Sequence, residues 1–375
     1  MRGIIDSTLR EGEQQAHLYF STPQKFEIIN LLQAVGVEEI ELGIDSADSD
    51  LGSLVEAIRD RSPRPRIAIW CRFREDDILK ASSFCPDLLS IALPVSDLHL
   101  GKRLRQNRDW AIRSIKEIVQ FTQRAGVQYV SLGLEDCTRA SLDFLDRVVN
   151  ESIVAGCDRI RLGDTLGVAA PTRIEELVKR YRGRGVEIAV HTHDDFGMAT
   201  ANAVTALDNG ADWADASVLG VGERAGIAKL EVLLGFLNLQ RNISKYNLHK
   251  LKPLMDLVAF AAGETIQRRH PVFGDALFEC ETGLHLDALA KDAATYEPFP
   301  PEAVGSRRAR YIGMKAGRNA VVYAAAQQLI TIAHSSVDSA CAAIRSHSRR
   351  LGRHLTEDEF GALAQRYAAA EDVDA

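Results

Sequence analysis

Cysteine is scarce. Six thiols stand at 71, 85, 137, 157, 280 and 341 among 375 residues, and no two form a CxxC pair. That spacing argues against a thiolate zinc site or a thioredoxin-type motif. The low usage fits reduced thiols, so a cytoplasmic protein is expected. Proline is also sparse at 11, and the 27 glycines follow no period, which excludes a collagen-like repeat. No apolar stretch reaches the roughly 18–20 residues that a membrane-spanning helix needs. The opening MRGIIDSTLREGEQ has no apolar h-region and is not read as a signal peptide. Nor is there a cationic excess. With 45 Lys and Arg against 52 Asp and Glu the net charge is −7, which points to neither nucleic acid nor a membrane surface.

What is present is ordinary for a folded chain: 46% hydrophobic and 26% charged residues, which excludes disorder. At about 150 residues per domain the length suits two to three domains, or one large barrel with an appendage. Short β-branched runs recur at Gly3–Ile5, Glu39–Leu42, Arg66–Trp70, Leu88–Leu93, Tyr129–Leu132, Arg159–Leu162, Glu187–Val190 and Ala214–Val218. Amphipathic segments of helix length lie between them, such as Thr22–Val35, Trp110–Ala125 and Pro171–Tyr181, with terminating glycines at 36, 126, 156, 183 and 210. Eight strands alternating with about eight helices predict an α/β fold of the (β/α)8 TIM-barrel type over 1–240. A doubly wound sheet would show fewer strands and a glycine-rich turn after the first. Beyond 240 the rhythm breaks. Lys250–Arg269 reads as a helix, Glu279–Arg318 as irregular, and Asn319–His334 and Val337–Arg349 as helices, with a capping box at Thr356 opening a last one. The expected organisation is a barrel over 1–240, a linker and lid over 241–318, and a C-terminal helical subdomain over 319–375.

In such a barrel, reacting groups follow the C-terminal ends of strands. Arg10-Glu11-Gly12-Glu13-Gln14 follows the first, Asp164-Thr165 the sixth, His191-Thr192-His193-Asp194-Asp195 the seventh, and the GVGERAG segment at 220–226 the eighth. Alternate residues of a strand share a side, so His191 and His193 can face one cation. A histidine pair in isolation is more often surface or core, and the strand-end position is what favours a metal. Glu11 is a candidate third ligand, the alternative being a solvated loop carboxylate. Arg10 beside it can hold a substrate carboxylate or an oxyanion, or be a surface ion pair worth about 0–1 kcal/mol. Such N/O donors suit a divalent ion, with Zn, Mn, Mg, Fe and Co not distinguished.

The segments DSTLREGEQ (6–14), GLEDCTR (133–139), LGDTLGVAAP (162–171), HTHDDFGMATAN (191–202), GVGERAG (220–226), CETGLHLDAL (280–289) and ATYEPFPPEAVG (294–305) occur in this order. Together they resemble the isopropylmalate synthase/homocitrate synthase family of metal-dependent, acyl-CoA-condensing barrels, over nearly the whole chain. The resemblance implies Glu11, His191 and His193 as metal ligands and Arg10 as the group that polarises a ketone. It implies Gln14, Arg139 and Thr165 as substrate contacts, and His285 and Tyr296 as acid–base residues of a lid that the family usually supplies from the partner subunit of a homodimer. Three departures stand out. Cys280 opens the lid motif, Ile227 replaces an asparagine that in isopropylmalate synthases can approach the metal, and Glu11 stands where isopropylmalate synthases carry Asp.

LREGEQ and the isoleucine after the GER turn are most similar to homocitrate synthases, and the nitrogen-fixation type is the nearest likeness. That resemblance implies condensation of acetyl-CoA with 2-oxoglutarate, then thioester hydrolysis. The second carboxylate of 2-oxoglutarate needs a cation, for which Arg72 and Arg74 after the third strand are candidates, although both could equally be surface arginines. The other readings are an unregulated isopropylmalate or citramalate synthase, an acyl-CoA lyase, and a catalytically idle metal-binding barrel. Only about 40 residues follow the lid helices, fewer than a regulatory domain requires.

Overall fold

The computed structural model describes residues 1–43 and 50–369. Eight parallel strands close into a barrel in sequence order: β1 (Gly3–Asp6), β2 (Glu39–Gly43), β3 (Arg66–Arg72), β4 (Leu88–Pro94), β5 (Val130–Glu135), β6 (Arg159–Asp164), β7 (Glu187–Thr192) and β8 (Trp213–Ala216), with β8 pairing back onto β1. The helices between and after them are α1 (Thr22–Val35), α2 (Leu51–Arg59), α3 (Glu75–Ser82), α4 (Arg108–Arg124), α5 (Leu142–Ala155), α6 (Pro171–Tyr181), α7 (Ala199–Asp208) and α8 (Leu230–Gln240). This is the (β/α)8 barrel that the alternation predicts. Its outer layer is apolar by the usual logic. Ile28, Ile29, Leu32 and Val35 of α1, and Ile115, Ile118 and Val119 of α4, recur at helical spacing and are buried against the strands. Gly36 and Gly156 stop α1 and α5 in the left-handed region, at φ 94° and 91°.

The barrel interior departs from that pattern. Strand alternation turns Glu39 and Glu41 of β2, and Arg159 and Arg161 of β6, inward, where a wholly apolar packing would ordinarily stand. Arg159 grips Glu39 with two contacts of 2.8 Å each. Above it, Arg161 reaches Glu41 and, at 2.8 Å, Ser90 of β4. All four charged side chains are buried, which is tolerable only because each is paired.

Contacts divide the chain into two compact units, Met1–Ile266 and Gln267–Ala375. The limits expected at 240 and 318 do not coincide with this division. A further helix, α9 (Leu251–Ala262), packs on α1 inside the first unit, and Asn247 donates its backbone N–H to the Val35 carbonyl at 2.9 Å. In the second unit the lid segment and the terminal helices share one apolar core, in which Leu286 packs with Val321, Ile344 and Phe360. The elements there are β9 (Glu279–Cys280), α10 (Gly283–Lys291), β10 (Ala309–Arg310), α11 (Arg318–Gln327), α12 (Val337–Leu351) and α13 (Glu357–Ala364). Residues 370–375 of the expected helical subdomain lie outside the described residues.

Several expected limits shift. α9 ends at Ala262 rather than near 269 because Gly263 takes φ 66°. The segment Glu279–Arg318 is not irregular throughout, since α10 forms within it and buries Leu286. α11 stops at Gln327, and Leu329 beyond it is left-handed at φ 58°. β8 ends at Ala216 because the chain leaves the sheet through a short turn with Leu219 at φ 59°. The Thr356 capping box forms as expected, with Glu359 closing it.

Candidate active site

Strand ends bring the charged segments together. After β1 the chain tightens into a turn in which Glu11 donates its backbone N–H to the Ser7 carbonyl at 2.7 Å, and the Glu11 side chain enters the barrel mouth, 2% exposed. His191 lies within β7, and His193 follows in an isolated bridge with Ile227. One donor atom each from Glu11, His191 and His193 lies within 4.8 Å of the other two. The two Nε2 atoms stand 3.3 Å apart, and each is near a different Glu11 oxygen, at 3.8 and 3.9 Å.

Two imidazole nitrogens converging on a buried carboxylate are a donor set for one divalent cation. Their protonation favours it. Burial lowers the His191 pKa far below its ordinary value, helped by Arg161 and Arg10 and opposed by Glu11. Burial lowers that of His193 too, again against Glu11. Burial alone would raise the Glu11 carboxyl, but Arg10 and the two histidines bring it down to about 2. Neutral imidazoles and an ionised carboxylate are the ligating forms. The Nδ1 atom of His193 has no hydrogen-bond partner among the described residues. Ile227 is fully buried and offers no donor, so a bound ion would keep positions open for substrate or water.

The eighth loop closes over Glu11. Glu223 donates its backbone N–H to Glu11 Oε1 at 3.1 Å, and a Cβ on Gly222 would lie 2.9 Å from Glu11 Cγ. At Gly226, φ 79°, a Cβ would stand 1.7 Å from the Gly220 carbonyl oxygen, so only glycine fits. Arg224 fastens this loop to the seventh, donating to both Asp195 oxygens at 2.9 Å and to the Thr165 carbonyl at 2.7 Å.

Arg10 is buried and held through Nε and Nη1. Its Nε donates to Glu41 at 2.8 Å, and its Nη1 to Glu11 at 2.5 Å and to the Gln14 amide oxygen at 3.1 Å. The Trp70 ring lies under the guanidinium, 5.4 Å from its centroid. A cavity of about 630 Å³ opens above this floor. It reaches Arg10, Glu11, Gln14, Thr165, His191 and His193, six of the eight residues singled out in the sequence that line this one space.

Others are placed differently. Arg72 and Arg74 line the same cavity, but Asp77 holds Arg72 with contacts of 2.6 and 3.0 Å, while Arg74 is mostly exposed and 3.7 Å from Asp76. Arg139 does not line the cavity, and its guanidinium is paired with Asp136 at 2.7 and 2.6 Å. His285 and Tyr296 belong to the second unit, where their rings lie tilted by 32° with centroids 3.9 Å apart. The sequence reading missed Trp70, Ser90, Arg103 and Arg161 in the cavity wall, and Glu41 and Asp215 behind it, while Glu223 belongs to the GVGERAG segment expected at the mouth. The available signal was charge at alternate positions of otherwise apolar strands, which places it inside a barrel.

Residues 2–258 match the HMGL-like family, and residues 272–351 match the homocitrate synthase post-HMGL domain-like family. The chain is 32% identical to a 2-phosphonomethylmalate synthase of Streptomyces rubellomurinus, over 98% of each chain. It is 36% identical to a homocitrate synthase of Frankia alni, over 86% of this chain and 93% of that one. It is 34% identical to a 2-isopropylmalate synthase of Caldanaerobacter subterraneus, over 85% and 83% respectively.

Proposed function

The chain belongs to the HMGL-like family, within its acetyl-CoA-condensing synthases, and from that membership we propose that it condenses acetyl-CoA with a 2-oxo acid bearing a second anionic group, 2-oxoglutarate being the finer reading, and then hydrolyses the thioester to homocitrate and CoA. The observation that carries it is the convergence of Glu11, His191 and His193 with a buried Arg10 at the floor of one cavity.

Glu11, His191 and His193 would hold a divalent ion, whose Lewis acidity would polarise the oxo acid when bound. The chain's own residues supply the rest. Arg10, fixed by Glu41, Glu11 and Trp70, presents positive charge where the ketone oxygen gains negative charge. Gln14 and Thr165 offer polar contacts to the oxo acid from the same cavity. The methyl group of acetyl-CoA must lose a proton before its carbon attacks the ketone carbon. His285 with Tyr296 is the proposed acid–base pair, supplied by a lid from the same or a partner subunit. Water then attacks the thioester carbonyl, and CoA leaves as the thiol.

Arg72 and Arg74 line the cavity as candidates for the second anion. Asp77 already neutralises Arg72, which makes Arg74 the better of the two. A phosphono-substituted oxo acid is a second reading, favoured by the end-to-end match to the 2-phosphonomethylmalate synthase. Isopropylmalate or citramalate formation, from an apolar oxo acid, is the reading these cations oppose. The test is CoA-thiol release from acetyl-CoA with 2-oxoglutarate, 3-phosphonopyruvate, 2-oxoisovalerate and pyruvate in turn. Preference for 2-oxoglutarate is expected, and equal or better use of the apolar acids overturns the reading.

A further inference from the structure

The two candidate metal histidines are not held alike. β7 and β8 run in register with Ala189 opposite Trp213 and Val190 opposite Ala214, which brings His191 beside Asp215 at the next step. Both side chains turn into the barrel. Asp215 Oδ2 lies 2.8 Å from His191 Nδ1, and Asp215 is 1% exposed. Arg161 Nη2 contacts the same carboxylate oxygen and lies 3.2 Å from His191 Nδ1. His193 Nδ1, by contrast, has no partner among the described residues.

This geometry fixes a proton. A guanidinium only donates, so Arg161 and a protonated His191 Nδ1 would both point hydrogens at Asp215, and the carboxylate accepts from both. With Asp215 ionised, an unprotonated Nδ1 could accept only from Arg161 Nη2, 3.2 Å away, and would set its lone pair 2.8 Å from an anionic oxygen. With the proton on Nδ1 the shorter contact becomes a hydrogen bond to Asp215, and the Nε2 lone pair faces Glu11 and His193. We infer that Asp215, itself held by Arg161, is a positioning residue that locks His191 in the Nδ1–H form and aims its Nε2 at the metal. The inference rests on the reading of Glu11, His191 and His193 as a divalent-metal site. A carboxylate behind a ligating histidine orients the ring and makes it a better donor, and losing such a partner typically weakens metal affinity by about 10–100-fold.

The experiment uses the full chain in two readouts. Long-range ¹H–¹⁵N spectra of metal-free, ¹⁵N-histidine-labelled protein, with His191 assigned by substitution, should show protonated Nδ1 and bare Nε2 in the wild type and a tautomer mixture in Asp215→Asn. A wild-type His191 carrying its proton on Nε2 overturns the inference without any variant being needed. Calorimetric titration of the purified apoprotein with Zn, Co or Mn should then give affinity 10–100-fold weaker for Asp215→Asn, with partial recovery in Asp215→Glu, at unchanged far-UV circular dichroism. Affinity within twofold of wild type in Asp215→Asn overturns the positioning role while leaving the metal site standing. Failure of the wild type to bind any of these ions overturns the metal reading itself, a result distinct from the other two.

Discussion

Arg159 and Glu39 meet inside the barrel through two parallel contacts of 2.8 Å, each side chain 1% exposed, although 120 residues separate them in the chain. Arg159 also lies over the Trp213 ring, 4.4 Å from its centroid. Removing Arg159 leaves the buried Glu39 charge with only Arg66, 3.8 Å away. Arg159→Ala is therefore expected to cost about 3–5 kcal/mol, whereas replacing both residues with apolar ones of similar volume is expected to cost far less. Denaturant unfolding of the single and double variants measures the difference. A single variant as stable as the double one contradicts the pairing.

The metal assignment predicts that His191→Ala and His193→Ala each lose bound metal and turnover while the barrel stays folded. Metal analysis of the purified variants beside their circular dichroism checks this. Normal occupancy and normal activity in both would remove these ligands from the site.

For the oxo-acid tail, Arg74→Ala should raise KM for 2-oxoglutarate more than for 2-oxoisovalerate, since only the former carries a second anion for that guanidinium to meet. Steady-state kinetics with both acids decides it. Equal effects on the two would move the anion contact elsewhere in the cavity, with Arg103 the next cation on its wall.

Asp6 predicts a pH dependence of stability. Burial pushes its carboxyl from 3.8 up to about 7, against the hydrogen bonds from Thr8 that favour ionisation. The folded state thus holds the proton more tightly than the unfolded chain. Below 3.8 the residue carries no penalty. Stability falls as pH rises through the window to 7, and above 7 the full penalty, of order 4 kcal/mol, is present. Glu11 and Glu41 are shifted downward and act with the opposite sign at lower pH, so the comparison is with Asp6→Asn. The stability difference between variant and wild type should change in favour of the variant from pH 4 to pH 7. A difference that stays constant across that range excludes the shift.

The lid pair gives the last prediction. His285→Ala should lower the rate by about 10²–10⁴-fold, the usual contribution of an acid–base group, while metal and oxo-acid binding persist. If lids are exchanged in a homodimer, mixing His285→Ala with His191→Ala subunits restores part of the activity, because one mouth per mixed dimer is then intact. No recovery after proven subunit exchange assigns each lid to its own barrel, and an unchanged rate in His285→Ala removes it from the chemistry.

The barrel was legible because its signal is local and repeated. Each strand is a short β-branched run, and each helix shows its own stripe, as Ile115, Ile118 and Val119 do in α4. The candidate ligands were legible because HxH shows strand spacing without any fold. Glu41, Arg161 and Asp215 were not, since a charge in a strand looks solvated until its partner arrives from a strand more than a hundred residues away, as Arg161 does for Glu41. The second unit was hard to read for a different reason. A left-handed residue such as Leu329, just beyond the end of α11, is set by packing rather than announced by glycine or proline.

The eighth loop leaves protein engineers little freedom on one side of the mouth. Gly222 and Gly226 are packed so tightly against Glu11 and the Gly220 carbonyl that even a methyl group would displace the backbone holding a candidate ligand. Libraries meant to change which acid is accepted would be wasted there. The opposite wall, where Arg72 ends β3, Arg74 follows it, and Arg103 and Trp110 come after β4, can be randomised without disturbing that turn. New specificities are therefore expected to arise from substitutions on that wall.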